Sequence, residues 1–361
     1  MKKIIVGMAA ALLAAVSFFP AEAVSAQSAI VLDASTGRVL YEKNADKQSL
    51  IASTTKIMTA LVVCQRCNVL DRMRIPKEAV GIEGSSMYLQ AGEILTVQEL
   101  LYGLMLQSGN DAAMALAIYC GGTVEGFAQL MNDKAHALGM TDSHFMNPHG
   151  LDSPGHYSTA RDMAKLTAYA MSDPVFAQTV STKTVTVGNR CLRNHNKLLW
   201  QVEGADGVKT GYTKAAGRIL VSSTTRNGRR LVVVTINDPN DWADHAALIE
   251  DGFENFSVRQ LINCGQCMGS VPVLGGNGQQ VQLLAEEGFS FSLQPDEQVS
   301  FELPAPGFVY APVAKNQSAG FVHVLVDGVA VGKVPLVYGE TVEMKADPEP
   351  SFWDKLFRRA S

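Results

Sequence analysis

A serine and a lysine three residues apart form the first pattern in this sequence that could perform chemistry. Ser53 and Lys56 lie in the segment Ile51–Met58, where a predicted helix begins. Residues at this spacing share a helix face, so the lysine amine can reach the serine hydroxyl and, if partly desolvated, remove its proton. Backbone N–H groups at the helix start can stabilise a developing oxyanion. Alone, the pattern also fits an ordinary N-cap serine followed by a solvated lysine.

Two short polar segments strengthen the catalytic interpretation. Ser108-Gly-Asn110 stands between two helical patterns, where a short loop can face the Ser53 site. Lys209-Thr-Gly211 is expected to start a strand that ends in Val221-Ser-Ser223, after a turn at Asp206-Gly207. A glycine in a strand lets another backbone approach closely, as a substrate lying along that edge requires. The three motifs in this order are found in penicillin-binding proteins and class A β-lactamases.

Six stretches carry a wider resemblance: Ala52–Ala60, Gly84–Leu89, Gln107–Ala112, Asn147–Leu151, His156–Asp162 and Asp206–Thr213. Over residues 30–256 the sequence resembles the serine D-alanyl-D-alanine carboxypeptidases, the low-molecular-weight penicillin-binding proteins of bacterial cell-wall metabolism. The resemblance implies an α/β (α+β) catalytic domain of the β-lactamase and penicillin-binding-protein type, with helices flanking an antiparallel sheet. It also implies an enzyme without cofactor or metal that removes the terminal D-alanine from peptidoglycan pentapeptide stems. β-Lactam antibiotics are expected to acylate the same serine.

The resemblance assigns a role to each residue of the first two motifs. Ser53 is the acylated nucleophile and Lys56 is its general base. Ser108 relays a proton toward the amine of the leaving D-alanine. Asn110 hydrogen-bonds the substrate peptide.

The third motif is expected to bind the end of the substrate. Lys209 supplies positive potential, and Thr210, followed by Gly211, binds the terminal carboxylate. The backbone N–H groups of Ser53 and Tyr212 form the oxyanion hole. Together these residues complete the implied substrate site.

Three positions depart from the family pattern. Tyr212 stands where many relatives have histidine, so only a backbone role is carried over. The segment Asn240-Asp-Trp242 lacks an arginine that in some relatives precedes the last helix and helps to hold the carboxylate. In the segment Asn194–Leu199, His195 replaces a cation of some members and is equally well explained as a structural loop residue.

The N-terminus has the pattern of an export signal. Met1–Lys3 is basic, Ile4–Phe19 is an uncharged apolar run, and two small-x-small patterns allow cleavage after Ala23 or, preferably, after Ala26. A retained membrane helix is the alternative, but it needs about 20 apolar residues. We therefore expect an exported protein at the outer face of the cytoplasmic membrane.

The C-terminus predicts a short amphipathic helix over residues 351–361. Ser351 follows a proline-containing break and can cap a helix, and Phe352, Trp353, Leu356 and Phe357 fall on one face with basic residues at the end. Such a helix can lie in a membrane interface. The alternatives are a terminal helix packed on its own domain or a frayed tail.

Between the ends, periodicity predicts a mixed α/β domain over residues 27–260 and a small all-β domain over residues 268–345. Asp327-Gly328 indicates a hairpin in the second domain. The elements expected in the first domain are a hairpin over 28–33 and 38–41, helices over 53–67, 97–106, 111–119 and 242–253, and antiparallel strands over 218–223 and 230–236 around Asn227-Gly228.

Charge and cysteine content argue against a nucleic-acid partner and against a zinc site. Thirty basic against 35 acidic residues give a net charge of −5, which offers no electrostatic reason to expect a nucleic-acid partner. Cys64 and Cys67, like Cys264 and Cys267, form C-x-x-C pairs, but the two pairs are too far apart for a close-set zinc ribbon. Incidental thiols or a disulfide are favoured over zinc. Two further cysteines, Cys120 and Cys191, cannot be paired from sequence.

Two other functions compete with the carboxypeptidase. A class A β-lactamase needs a glutamate placed for deacylation, and only Glu125 and Glu203 occur between Asn110 and Lys209, neither in a recognisable setting. A non-catalytic sensor of β-lactams or wall peptides would keep the site but needs transmembrane and cytoplasmic parts that the sequence does not show.

Overall fold

A computed structural model describes residues 24–304 and 307–346. The chain divides into two compact units, one ending at Phe256 and the other beginning at Ser257. The apolar run of the predicted signal and the predicted helix 351–361 lie outside the described residues. Within the described ranges, no helix combines the length and the apolar character needed to cross a bilayer.

The first unit is built on a five-stranded antiparallel sheet. Its strand order is β2-β1-β9-β8-β7. Two small two-stranded antiparallel sheets, β3-β4 and β5-β6, lie outside it. The strands are β1 Ser28–Asp33, β2 Val39–Lys43, β3 Arg72–Arg74, β4 Ile94–Thr96, β5 Thr184–Val187, β6 Arg190–Arg193, β7 Ala205–Thr213, β8 Gly217–Arg226 and β9 Arg229–Ile236.

Helices cover both faces of this sheet. Several begin at the residues that local chemistry favours: Thr96 and Glu99 form a reciprocal capping box, and the Asp173 carboxylate caps a helix that starts with Pro174. The helices are α1 Lys56–Arg66, α2 Val97–Leu106, α3 Asn110–Gly121, α4 Val124–Ala137, α5 Ala160–Ala170, α6 Pro174–Ser181, α7 Leu198–Gln201 and α8 Asp241–Glu254, with 3-10 turns at Ala52–Thr55 and Lys77–Ala79.

The sheet separates two apolar cores. On β9, Val232 and Val234 face the larger core with helices α1 to α6, whereas Leu231 and Val233 face the smaller core under α8. Successive strand residues point to opposite faces, so a strand buried on both sides must be apolar at every position. This explains the continuous valine run and confirms the predicted central strand. Val24 and Ala26, which the sequence analysis placed in the leader, are also buried in the smaller core.

The structure confirms the two hairpins and the four helices predicted for this unit, but it changes the strand that carries Lys209. Asp206 and Gly207 are not a turn: they belong to β7, where Gly207 pairs with Ser223 of β8. The motif therefore lies inside β7, and Val221-Ser-Ser223 belongs to the next strand. The long neighbour β8 supplies pairing partners that override the local turn preference of Asp-Gly.

The second unit is all-β, as predicted. Its main sheet has the order β14-β16-β17-β12-β11-β15, and Asp327-Gly328 is the hairpin turn between β16 and β17, as predicted. The unit starts before the predicted boundary of 268, because residues 257–262 form a strand that pairs with residues 289–293. The strands are β10 Ser257–Ile262, β11 Cys267–Leu274, β12 Gln280–Ala285, β13 Phe289–Leu293, β14 Val299–Glu302, β15 Val309–Tyr310, β16 Ser318–Val326 and β17 Val329–Tyr338.

Candidate active site

Ser53 lies on the 3-10 turn that leads into α1. The residue before it, Ala52, has φ +43°, in the left-handed region that most side chains avoid. Gly150 packs against this turn so closely that an added Cβ would lie 1.8 Å from the Ala52 carbonyl oxygen. A glycine is therefore required at position 150, and its contact holds the backbone that presents Ser53.

The amine of Lys56 lies 3.0 Å from the Ser53 hydroxyl. It also lies 2.7 Å from Oδ1 of Asn110 and 2.7 Å from the carbonyl oxygen of His149. These two oxygens only accept hydrogen bonds, so a neutral amine donates both of its hydrogens to them. The remaining lone pair then points toward Ser53, which is the orientation that a general base needs.

Burial supplies the protonation state that this orientation requires. The Lys56 side chain is fully buried, and desolvation holds the pKa of its amine well below the ordinary value. The nearby charge of Lys209 lowers the pKa further, whereas Asp111 opposes the shift. The lowered pKa favours the neutral amine, which is the form that can accept the serine proton.

Asn110 is a positioning residue in this structure. Its Oδ1 accepts from Lys56, and its Nδ2 donates to the Glu83 carbonyl at 2.6 Å. Next to it, the buried Asp111 carboxylate accepts from the backbone N–H groups of Met87 and Leu89. The second motif is thereby tied to the 83–89 loop, and the Asn110 amide contacts Lys56; its expected hydrogen bond to the substrate stays a prediction.

Ser108 is held in an unusual backbone conformation beside the nucleophile. Its φ is +59°, in the left-handed region, and its side chain lines the same cavity as Ser53. A non-glycine residue there is strained by about 1 kcal/mol or more. The strain places a hydroxyl at the cavity wall, where a leaving group can meet it.

Strand β7 borders the nucleophile. A Cβ added to Gly211 would lie 3.3 Å from the backbone nitrogen of Ser53, so the glycine allows the strand to approach the 3-10 turn. Gly211 thus lies close to the protein's own backbone at Ser53 and Thr54, and the expected approach of a substrate along this strand stays a prediction. Lys209 is buried on the same strand, where desolvation lowers the pKa of its amine to about 7, and its Nζ donates to the Thr210 carbonyl at 2.7 Å.

A cavity of about 280 Å³ opens over these groups. His195, which sequence analysis left open, lines it, and Tyr212 at its edge is 64% exposed. The cavity brings together most of the predicted site residues, with Lys56 and Lys209 buried beneath. The lining includes Ser53, Ser85, Ser108, His195, Thr210, Gly211, Tyr212, Arg218, Asp241 and Trp242.

Sequence reasoning assigned no role to two histidines, His149 and His156, which hydrogen-bond to Lys56 and Thr55 next to Ser53. The His149 carbonyl accepts from Lys56, and burial lowers the pKa of the His149 ring to about 4. His156 accepts from the Met146 N–H at Nδ1, so its neutral ring donates from Nε2 to the Thr55 hydroxyl at 2.8 Å. Both histidines lie in stretches that carry the family resemblance, Asn147–Leu151 and His156–Asp162, but only the fold shows what they contact.

The cysteines are arranged differently from the sequence pairing. Cys67 at the end of α1 is hydrogen-bonded to Cys120 on α3, not to Cys64, and all six are free thiols. Among residues 24–304 and 307–346 no three His, Cys, Asp or Glu side chains converge as a metal site. The C-x-x-C spacing of Cys64 and Cys67 therefore did not show that Cys67 has Cys120 as its neighbour.

Two family models match the chain. The model for D-alanyl-D-alanine carboxypeptidase matches residues 15–240, and the model for the C-terminal domain of penicillin-binding protein 5 matches residues 256–344. The second match begins next to the division between the two compact units. Family and fold thus agree on a peptidase unit followed by an all-β unit.

Similar proteins cover nearly the whole chain. D-alanyl-D-alanine carboxypeptidase DacC of Escherichia coli is 34% identical, with 90% of this chain and 86% of the relative covered. DacF of Bacillus subtilis is 30% identical, covering 88% of this chain and 86% of the relative. The structure of penicillin-binding protein 5 from Haemophilus influenzae has a TM-score of 0.80 at 30% identity, covering 91% of this chain and 100% of the other. The chain therefore belongs to the family of D-alanyl-D-alanine carboxypeptidases, serine peptidases of the penicillin-binding-protein class.

Proposed function

We propose that this protein removes the C-terminal D-alanine from peptidoglycan stem peptides by serine acylation at Ser53. The observation that carries the proposal is the amine of Lys56, which is buried, lowered in pKa and oriented toward the Ser53 hydroxyl by two carbonyl acceptors. The names of the relatives support the substrate class.

The proposed reaction has two steps. Lys56 accepts the Ser53 proton as the serine oxygen bonds to the carbonyl carbon of the penultimate D-alanine, and the N–H groups of Ser53 and Tyr212 stabilise the oxyanion. The peptide C–N bond then breaks, and the leaving D-alanine amine receives a proton by way of Ser108. Water hydrolyses the resulting ester, which releases the shortened peptide and restores the serine.

The substrate is proposed to lie along β7. Thr210 binds its terminal carboxylate, the Lys209 charge attracts it, and Gly211 leaves room for the strand beside Ser53. Acyl transfer from a β-lactam follows the same first step. The decisive assay measures D-alanine release from a peptide ending in D-Ala-D-Ala, together with the mass of the protein after penicillin treatment. Release with a long-lived penicillin adduct supports the carboxypeptidase, whereas rapid penicillin turnover without an adduct would favour a β-lactamase.

The pH dependence of kcat/KM should report both lysines. Activity should fall as pH decreases, because Lys56 must be neutral, and fall as pH rises through about 7, because Lys209 loses its charge. In Lys209→Gln the alkaline decrease should disappear. The acid limb should also move to higher pH, since the charge that lowers the Lys56 pKa is gone.

The matched control for this profile is Lys214→Gln, an exposed lysine just beyond the same strand. Its profile should follow the wild type at both limbs. An acid limb in Lys209→Gln at the wild-type pH would contradict the electrostatic coupling between the two buried amines.

Export is proposed with cleavage after Ala23, so that residues 24–26 remain in the mature chain. Val24 and Ala26 are buried in the smaller core, and the Ser25 hydroxyl donates to the carboxylates of Asp238 and Asp244 at 2.7 and 2.8 Å. Cleavage after Ala26 removes these contacts and leaves two neighbouring carboxylates without their shared donor. The packing therefore favours the first of the two sequence patterns.

At the outer face of the cytoplasmic membrane, residues 351–361 are proposed to anchor the protein as an amphipathic helix. The support is the sequence pattern of four apolar residues on one face with basic residues at the end. Such an anchor is interfacial, so it needs no membrane-spanning helix.

One experiment tests processing and anchoring together in a bacterial host that exports the full chain. The intact mass should correspond to a start at Val24, and Ala23→Arg should block processing because the cleavage site needs a small residue. A start at Gln27 would contradict the proposed site.

Deletion of residues 351–361 should move the processed protein from the membrane to the soluble fraction with unchanged activity on a soluble peptide. Retention on the membrane would mean that the segment is not the anchor.

A further inference from the structure

The catalytic cavity contains an arginine that the sequence motifs do not include. Arg218 lies on β8, where it pairs in register with Tyr212 of β7, and it lines the same cavity as Ser53 and Thr210. Its side chain is 45% exposed. A guanidinium ion is thus presented beside the strand along which the substrate is proposed to lie.

The hydrogen bonds of Arg218 leave part of its donor set unused. One nitrogen, Nη2, donates to both carboxylate oxygens of Asp241, at 2.7 and 2.9 Å. Nε and Nη1 have no hydrogen-bond partner among the described residues. An arginine has five N–H donors in a planar fork, so one carboxylate held through Nη2 leaves donors for a second. Asp241 is buried and therefore orients the guanidinium without filling the cavity.

The Arg218–Asp241 pair places an arginine at the cavity although none precedes the last helix. Asp241 is the first residue of α8, in the segment Asn240-Asp-Trp242 where the sequence lacks the cation. The cation comes instead from the neighbouring strand, and the helix supplies the anion that holds it. Arg218 and Asp241 both line the cavity that Thr210 also lines, so the cavity keeps a guanidinium group.

A substrate that ends in D-alanine must bring a carboxylate into this cavity. Burying that charge requires charged or hydrogen-bonding partners. Lys209 is buried, and desolvation lowers the pKa of its amine to about 7, which weakens its hold on a positive charge. An arginine such as Arg218 is the better partner for a planar anion, because its fork of N–H donors matches both carboxylate oxygens.

We propose that Arg218 binds the free α-carboxylate of the substrate's C-terminal D-alanine, with Asp241 as its positioning residue. The proposal rests on the proposed carboxypeptidase function and names the group that makes the enzyme specific for a free C-terminus. Arg218 and Thr210 bind the carboxylate from the two adjacent strands β8 and β7.

The test compares two blocked peptides that differ at one group, a D-Ala-D-Ala peptide with a free carboxylate and the same peptide as its C-terminal amide. Arg218→Gln should raise KM for the carboxylate peptide about 30-fold with kcat nearly unchanged, because a charge-assisted hydrogen bond is lost. The kcat/KM for the amide should stay within about 3-fold of wild type. Arg218→Lys should recover part of the loss.

The matched control is Arg226→Gln. Arg226 lies on the same strand and binds a carboxylate, Glu250, but it does not line the cavity. It should retain the wild-type preference for the carboxylate peptide. Asp241→Asn should raise KM for that peptide less than Arg218→Gln does, since the arginine stays but is less well oriented.

The outcomes separate this inference from the function beneath it. Equal losses on the two peptides would show that the Arg218–Asp241 pair only joins β8 to α8, and would overturn the proposal, as would an unchanged preference in Arg218→Gln. If wild type released neither D-alanine from the carboxylate peptide nor D-alaninamide from the amide, with penicillin still bound, the carboxypeptidase function and this proposal would both be overturned.

Discussion

Replacing Ser53 with alanine is expected to lower D-alanine release by about 10⁶-fold, the effect typical of removing a catalytic serine. The change deletes the atom that forms the acyl bond. It removes only one of the three hydrogen-bond partners of Lys56, so the fold should persist. D-alanine release is measured with a D-amino acid oxidase assay, and penicillin acylation is followed by intact mass.

The control for this variant is Ser172→Ala, which removes an exposed hydroxyl bonded only to the Tyr169 carbonyl. It should release D-alanine and form the penicillin adduct as wild type does. Equal release by Ser53→Ala and wild type would rule out the serine mechanism, and an adduct on Ser53→Ala would place the nucleophile elsewhere.

Replacing Lys56 with glutamine is expected to slow acylation by penicillin by about 10³- to 10⁴-fold. The amide can still donate to the Asn110 and His149 oxygens, but it has no basic lone pair for the Ser53 proton. Where one of these oxygens loses its donor in the variant, the loss costs about 1–3 kcal/mol of folding free energy. The melting temperature should therefore be measured together with the acylation rate.

Two measurements separate catalysis from stability in this variant. Lys56→Gln should lose the acid limb of the pH profile, since no base titrates there, whereas simple destabilisation leaves the limb in place. Lys47→Gln, an exposed lysine on the same domain, should match wild type in rate and profile. Rapid acylation of a folded Lys56→Gln protein would exclude Lys56 as the base.

Local patterns predicted those parts of the fold that depend on near neighbours in sequence. The Asn227-Gly228 turn, the apolar run of β9 and the helices around the first two motifs were all recognised because turn chemistry and periodicity act within a few residues. The exception is Asp206-Gly207, a turn signal that the pairing of β7 with β8 overrides. The start of the second unit was also missed, because β10 is defined by its partner β13.

The candidate site also contains contacts that are local in sequence and contacts that only the fold brings together. Ser53 and Lys56 are within one helical turn, so the sequence alone determined that they can meet. The two carbonyl oxygens that orient the lysine lie 54 and 93 residues away, and only the tertiary structure brings them to its amine. Asn110 shows the difference, since its motif marked it as a site residue, while its contact with Lys56 is visible only in the tertiary structure.

The sequence by itself identified the family and marked Ser53, Lys56 and the strand motif as site residues, because these are encoded in residue type and short spacing. The tertiary structure decided which groups surround them: the histidines behind the nucleophile, the packing of residues 24–26 and the Arg218–Asp241 pair in the cavity. The physical reason is that burial and long-range hydrogen bonds depend on how distant segments pack, and these interactions lower the pKa of Lys56 and pair Arg218 with Asp241.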